Sequence, residues 1–225
     1  MRRLCLALFA TLASCAGEPP PAPPTPPHKV ERPLGERVFP MDWAPALDDA
    51  RRDEWQRPDE VLKALRIEPG ARVADVGCGT GYFALRLLRV AGHVIAVDIQ
   101  QGMLDLLSKR LGPEERKRVT LRRSEPEEPL LPGDRCDLVL CANTLHEVDD
   151  AQQARFMKSM AAGLAPDGRL AIINWKTEPM RLGPRPEHRL ARGRIEELAA
   201  GAGLVLAEAF DFLPMHDFLV FERMG

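Results

Sequence analysis

The stretch VADVGCGTGYF, residues 73–83, constrains this chain more than any other. An apolar run of strand length, 72–76, passes directly into glycines at 77, 79 and 81, and a helical pattern follows over 80–90. Glycine lets the backbone turn tightly and come close to a ligand. A strand, a glycine turn and a helix in that order open a βαβ unit, with ligands at the carboxyl ends of the strands. The spacing is not that of a dinucleotide loop. The pattern G-x-G-x-x-G needs glycine at 82, where Tyr82 stands, and the lysine of a phosphate-binding loop is missing too.

The rest of the chain continues the alternation. Helical patterns are expected over 58–67, 101–111, 149–164 and 194–202, and strands over 93–98, 118–123, 136–141, 168–175, 204–210 and 217–222. Only a short turn near Pro214 separates the last two strands, so the seventh should run antiparallel. The expected fold class is α/β. It is a Rossmann-like, seven-stranded, mostly parallel sheet with an antiparallel seventh strand, in three α/β/α layers.

Asp98 ends the second strand, 21 residues after Gly77. A carboxylate there can accept both hydroxyls of a ribose. Asp75 points into the same mouth and can reach an ammonium group through water. A loop that takes a ribose but is not built for a pyrophosphate suits a nucleoside joined to an amino acid, which is S-adenosyl-L-methionine (SAM).

Four segments in register, VADVGCGTGYF, VIAVD, CDLVLCANTLHEV and LAPDGRLAIINW, resemble the class I SAM-dependent methyltransferases. The resemblance covers roughly residues 55–222. Within that family, WQRPDEVLKAL, GYF, AVDIQ, NTLHEV and HDFLVFE are similar to a group of uncharacterised bacterial members, some of which carry export signals. The resemblance implies that Asp75, Gly77, Gly79 and Gly81 wrap the methionine part of SAM, with Cys78, Thr80 and Tyr82 in the same turn. It implies Asp98 on the ribose, Ile99 and Gln100 beside the adenine, and Asn143 on the methyl-donor side. Glu125 stands where the family usually has an aspartate on the adenine amino group, in RRSEPEEP rather than the commoner GDA.

Methyl transfer is an in-line displacement from an activated carbon, so the protein mainly aligns donor and acceptor. A base is needed only for an acceptor that keeps its proton, and His146 and Glu147 are the candidates; the alternative is a packed histidine and a helix-capping glutamate. Trp55 and Gln56 are read as a lid or as a staple for the N-terminal segment. Trp175 and Lys176 are expected on the substrate side, or else as a core tryptophan and a solvated lysine. His188 is read as part of a surface loop, and His216 with Asp217 as structural. No Cys/His spacing suggests a metal.

Composition closes off other classes. The 225 residues are 45% apolar and 28% charged, with net charge −2. This is ordinary for a globular chain and offers no basic field for nucleic acid. Residues 1–14 read as a signal peptide ending in LASC, which resembles the lipobox of bacterial lipoproteins and implies lipid on Cys15. Ala16 after it leans towards the outer membrane, on the periplasmic side. Residues 15–30 form a tether in which seven of the ten residues 18–27 are proline. An N-terminal extension or lid is expected over 31–57 and the methyltransferase domain over 58–225. Met41 as an alternative start would give a cytosolic protein. Five cysteines do not read as a disulfide framework. Cys5 and Cys15 lie in the leader, Cys78 lies in the glycine loop, and Cys136 and Cys141 should point to opposite faces of one strand; three free thiols speak against an oxidising compartment. The expectation is a monomeric, envelope-anchored, SAM-dependent methyltransferase of a small molecule. The alternatives are a non-catalytic SAM- or nucleoside-binding lipoprotein and, already disfavoured by Tyr82, a nicotinamide enzyme.

Overall fold

The computed structural model describes residues 39–225, so the leader, Cys15 and the tether lie outside the described residues. Seven strands form one sheet: β1 (Arg72–Val76), β2 (His93–Asp98), β3 (Val119–Arg123), β4 (Cys136–Ala142), β5 (Leu164–Trp175), β6 (Leu204–Phe210) and β7 (His216–Arg223). Their order is β3-β2-β1-β4-β5-β7-β6. The first five strands pair in parallel, and β7 lies antiparallel between β5 and β6. The order reverses beside β1, whose carboxyl end therefore opens between β2 and β4, and this is where open α/β sheets take ligands.

Helices cover both faces. On one side α2 (Pro58–Leu65), α3 (Ala84–Leu87) and α4 (Gln101–Arg110) bury Val61, Leu65, Leu87, Leu104 and Leu107 against Val73, Val94, Leu138 and Ile173. On the other, α6 (Asp150–Ala162) and α7 (Arg192–Ala200) bury Phe156, Met157, Ile195 and Leu198 against Val76, Val97, Val139 and Ile172. The central strands are apolar on both faces because both are covered. Each large aliphatic side chain fully buried this way is worth about 1.5–3 kcal/mol. Before α2 comes a 3-10 helix, Met41–Asp48, and the short α1 (Arg52–Gln56). A further short helix, α5 (Pro113–Arg116), starts at the Gly112-Pro113 that stops α4.

Three expectations change. The helix expected over 80–90 is regular only over Ala84–Leu87, because Gly81 holds φ at 96° and cannot join a right-handed helix. Strand β5 starts at Leu164 rather than 168, paired with Cys136. The register then shifts, so that Leu138 pairs with Arg169. That irregularity carries Cys136 onto the same apolar layer as Cys141, not the opposite one. Both thiols, and Cys78, are buried and free.

Candidate active site

The floor of the site is built by the turn after β1. The N–H groups of Gly77 and Cys78 both donate to the Val97 carbonyl, at 2.8 and 2.9 Å, which ties the glycine turn to the end of β2. One residue after Val97, the Asp98 carboxylate accepts from Gly79 N–H at 2.9 Å and from Gln100 N–H at 2.8 Å. Asp98 is thus fixed as a backbone-anchored carboxylate at the mouth of the cleft, and burial raises its pKa. Gly77 has φ 73°, and a Cβ there would lie 2.1 Å from Thr144 Oγ1. The turns after β1 and β4 therefore meet at this glycine. Asn143, after β4, takes a left-handed φ of 55°, with its N–H held by the Ile173 carbonyl at 2.7 Å.

The roof comes from residues N-terminal to α2. Phe39 and Gln100 exchange two hydrogen bonds, Phe39 N–H to Gln100 Oε1 and Gln100 Nε2 to the Phe39 carbonyl, each 2.9 Å. Thr80 Oγ1 donates to Asp48 at 2.9 Å, and Arg110 grips Asp48 and the Thr80 carbonyl. Tyr82 donates its hydroxyl to Asp53 at 2.6 Å, while the Arg52 and Arg86 guanidiniums lie 3.8 and 4.2 Å from its ring centre. The cavity so enclosed is about 180 Å³. That is below the ~300 Å³ at which small-molecule clefts begin, and Phe39, Leu47 and Arg52 of this arm are what narrow it.

Asp75, at the back of the cavity, is buried, and its Oδ2 has no hydrogen-bond partner. Burial pushes its pKa up to about 7, against the pull of Arg52 and the Ala84 N–H. Arg52 is itself lowered to about 10 by burial, and its Nε is also unpartnered. A buried carboxyl oxygen without a donor fits a cationic ligand group such as an ammonium. The pH dependence has a definite sign. Unfolded Asp75 ionises near 3.8, whereas the folded chain keeps the proton to about 7. The stability this gives the ligand-free protein is complete below 3.8 and is lost as pH rises towards 7, on the order of 4 kcal/mol in all. Asp75→Asn is therefore expected to gain on the wild type between about pH 4.5 and about pH 7.5 in urea melts. A constant difference between the two proteins would contradict this.

The structure brings Asp75, Gly77, Cys78, Gly79, Thr80, Tyr82, Asp98, Ile99, Gln100, Asn143 and Glu147 to one cavity. Gly81 is not in its wall; it supports the turn, its missing Cβ leaving room for Leu107. Glu125 is exposed, in a tight turn bridged to Glu128, and its neighbours Ser124 and Pro126 line the cavity instead. His146 faces away from the cavity. It is buried, with Nδ1 3.2 Å from Asn174 Oδ1 and Nε2 3.2 Å from Glu147 Oε1, so Glu147 alone of the pair reaches the ligand space. Trp55, Trp175 and Lys176 lie outside the cavity wall, and the Lys176 ammonium reaches the Leu213 carbonyl at 3.4 Å. Residues missed in the sequence include Phe39, Leu47, Arg52, Met103 and Thr144. Thr144, beside Asn143, carried a positional signal, whereas Phe39, Leu47 and Arg52 carried none.

A seven-stranded sheet of this order, with a glycine turn gripping the acid at the end of β2, is the architecture of class I SAM-dependent methyltransferases. Residues 73–168 match the family model described as "Methyltransferase domain". Over 147 residues the chain is 33% identical to an uncharacterized methyltransferase of Mycobacterium tuberculosis (strain ATCC 25618 / H37Rv), covering 65% of this chain and 57% of that one. Over 164 residues it is 32% identical to the ubiquinone/menaquinone biosynthesis C-methyltransferase of Geobacter sulfurreducens, covering 67% and 62%. A solved SAM-dependent methyltransferase from Aquifex aeolicus superposes with a TM-score of 0.76 at 26% identity, over 83% of this chain and 100% of that one. The matched region is similar to a methyltransferase domain, and the fold is that of a solved SAM-dependent methyltransferase. The chain spans about three fifths of the length of these two curated relatives.

Proposed function

We propose that the protein transfers a methyl group from SAM to a small-molecule acceptor. The observation that carries this is the Asp98 carboxylate, held by two backbone N–H groups at the edge of a cavity whose far wall is the unpartnered Asp75 oxygen. Asp98 has lone pairs left for ribose hydroxyls, and Asp75 suits the ammonium of the methionine part. Ile99, Gln100, Met103 and Ser124 frame the adenine end, and Gly77, Gly79 and Asn143 the sulfonium end. When bound, SAM supplies an activated methyl group, which leaves the protein to align the acceptor and exclude water. Of the carboxylates in the wall, Glu147 is the one we assign to take an acceptor proton, and His146 positions it through their contact. The relatives named for quinone-pathway methylation support an acceptor of small-molecule size.

Incubation with SAM and a protein-free metabolite extract is expected to release S-adenosylhomocysteine. Glu147→Gln should slow the release without weakening SAM binding. Tight SAM binding with no release from any extract would overturn the enzymatic reading and favour a sensor.

The envelope location rests on residues 1–30 alone. Lipidation of Cys15 would tether the domain to a membrane surface, with SAM supply outside the cytosol as the open demand. Metabolic labelling with palmitate is expected to mark the wild type and not Cys15→Ser. An unlabelled, soluble wild type would contradict the anchor.

A further inference from the structure

Beside the cofactor cavity lies a second group of side chains with an unusual deficit of partners. His216, at the start of β7, is 0% exposed, and neither ring nitrogen has a hydrogen bond. Gln56 is also 0% exposed with Nε2 unpartnered, and Asn143 has a buried, unpartnered Oδ1. Such groups are normally satisfied, because each orphan keeps its full desolvation cost. Here the group joins the cofactor cavity through Asn143. Asn143 lines it and donates to Gln56 Oε1 at 3.1 Å, and Trp55 precedes Gln56 in α1.

Around His216 the walls are aromatic. The Trp175 ring centre is 4.2 Å away and that of Trp55 5.5 Å, with the two indoles 5.2 Å apart. Trp175 is backed by the 177–189 loop: a Cβ on Gly183 would come within 2.7 Å of its ring. The loop is braced by Arg189, which donates to the carbonyls of Pro184, Lys176, Glu178 and Leu182. The outer wall is less fixed. Trp55 is only partly buried, on the five-residue helix α1 that ends at the left-handed Arg57, φ 44°.

We propose that Trp175, His216 and Gln56 form the acceptor subsite beneath a displaceable Trp55, and that it takes a planar aromatic ring bearing a hydroxyl. The ring stacks on Trp175, in the place Trp55 partly fills. The hydroxyl is both donor and acceptor, so it can pair with one ring nitrogen of His216 whether that atom carries the proton or the lone pair. Arg52, Lys176 and Arg189 are the cations whose charge reaches His216. They disfavour a cationic acceptor and favour an acidic, phenol-like hydroxyl. The same charges, after burial itself, help to hold His216 neutral, with its pKa down to about 3. The proposal rests on the methyltransferase reading above and revises the view of His216 as merely structural.

The test is calorimetric titration of the protein saturated with S-adenosylhomocysteine, using three bicyclic probes: 2-naphthol, planar naphthalene without the hydroxyl, and the saturated, non-planar decahydro-2-naphthol. 2-Naphthol is expected to bind tightest. His216→Phe keeps a ring and drops both nitrogens. It should weaken 2-naphthol about fivefold, leave naphthalene unchanged and melt no lower than the wild type. Trp175→Leu should weaken both aromatic probes while S-adenosylhomocysteine still binds. The subsite is overturned if 2-naphthol fails to bind the loaded protein. It is equally overturned if decahydro-2-naphthol binds as well, or if His216→Phe leaves 2-naphthol affinity intact. Failure of S-adenosylhomocysteine itself to bind would instead remove the reading beneath the proposal.

Discussion

Asp98→Ala is expected to weaken SAM binding about a hundredfold while the protein stays folded. Two effects add. The variant loses the acceptor for the ribose hydroxyls, and bonds to a charged group are worth about 1.5–3 kcal/mol each. It also leaves the Gly79 and Gln100 N–H groups without their partner, so the glycine turn is no longer held in its binding shape. Asp98→Asn should recover little, since its amide N–H₂ must face one of those two donors. Calorimetric titration with SAM, alongside a melting curve of each ligand-free protein, separates lost binding from lost folding. Unchanged affinity in Asp98→Ala would mean that the cofactor lies elsewhere.

Gly77→Ala should be the most damaging single methyl in the described residues around the site, costing about 2–5 kcal/mol of stability. The added Cβ meets Thr144 Oγ1 at 2.1 Å, Cγ2 at 2.4 Å and Cβ at 2.7 Å. A β-branched side chain has little freedom to rotate away, so the β1 and β4 turns must separate. The positive φ adds strain of its own. Gly193→Ala is the control: nothing lies within 4 Å of its added Cβ, it sits near the start of α7, and it should be neutral or slightly stabilising. Urea melts measure both. A Gly77→Ala protein as stable as wild type would show that the two turns are not packed as described.

The sheet was legible because its signals are local. VIAVD is a continuous apolar run ended by an acid, CDLVLC is apolar but for Asp137, and β1, β2 and β6 begin and end where the pattern does. The glycine turn and Asp98 were legible for the same reason, as fixed spacings along the chain. The roof was not. Phe39 meets Gln100 across 61 positions, Asp48 meets Thr80 across 32 and Asp53 meets Tyr82 across 29, and nothing in the arm's own pattern announces those partners. Two readings failed on local geometry. A register shift turned Cys136 to the other face, and Gly81 broke a helix whose apolar spacing otherwise looked sound. His146 and Glu147, adjacent in the chain, face different surroundings: one is buried on Asn174, the other in the cavity wall.

The arm also bears on how the site works. It contributes Phe39, Leu47 and Arg52 to the cavity and carries Trp55 and Gln56 at its end. A ligand larger than the present space must move it, so the cofactor and the acceptor both depend on one segment that joins the domain just before α2.

The measurement closest to the central claim is a side-by-side titration of the purified protein with SAM and with NADH, repeated on Asp98→Ala. Saturable binding of SAM, no comparable binding of NADH, and loss of the SAM signal in Asp98→Ala is the expected result. NADH binding tighter than SAM, or SAM binding indifferent to Asp98, would contradict the site.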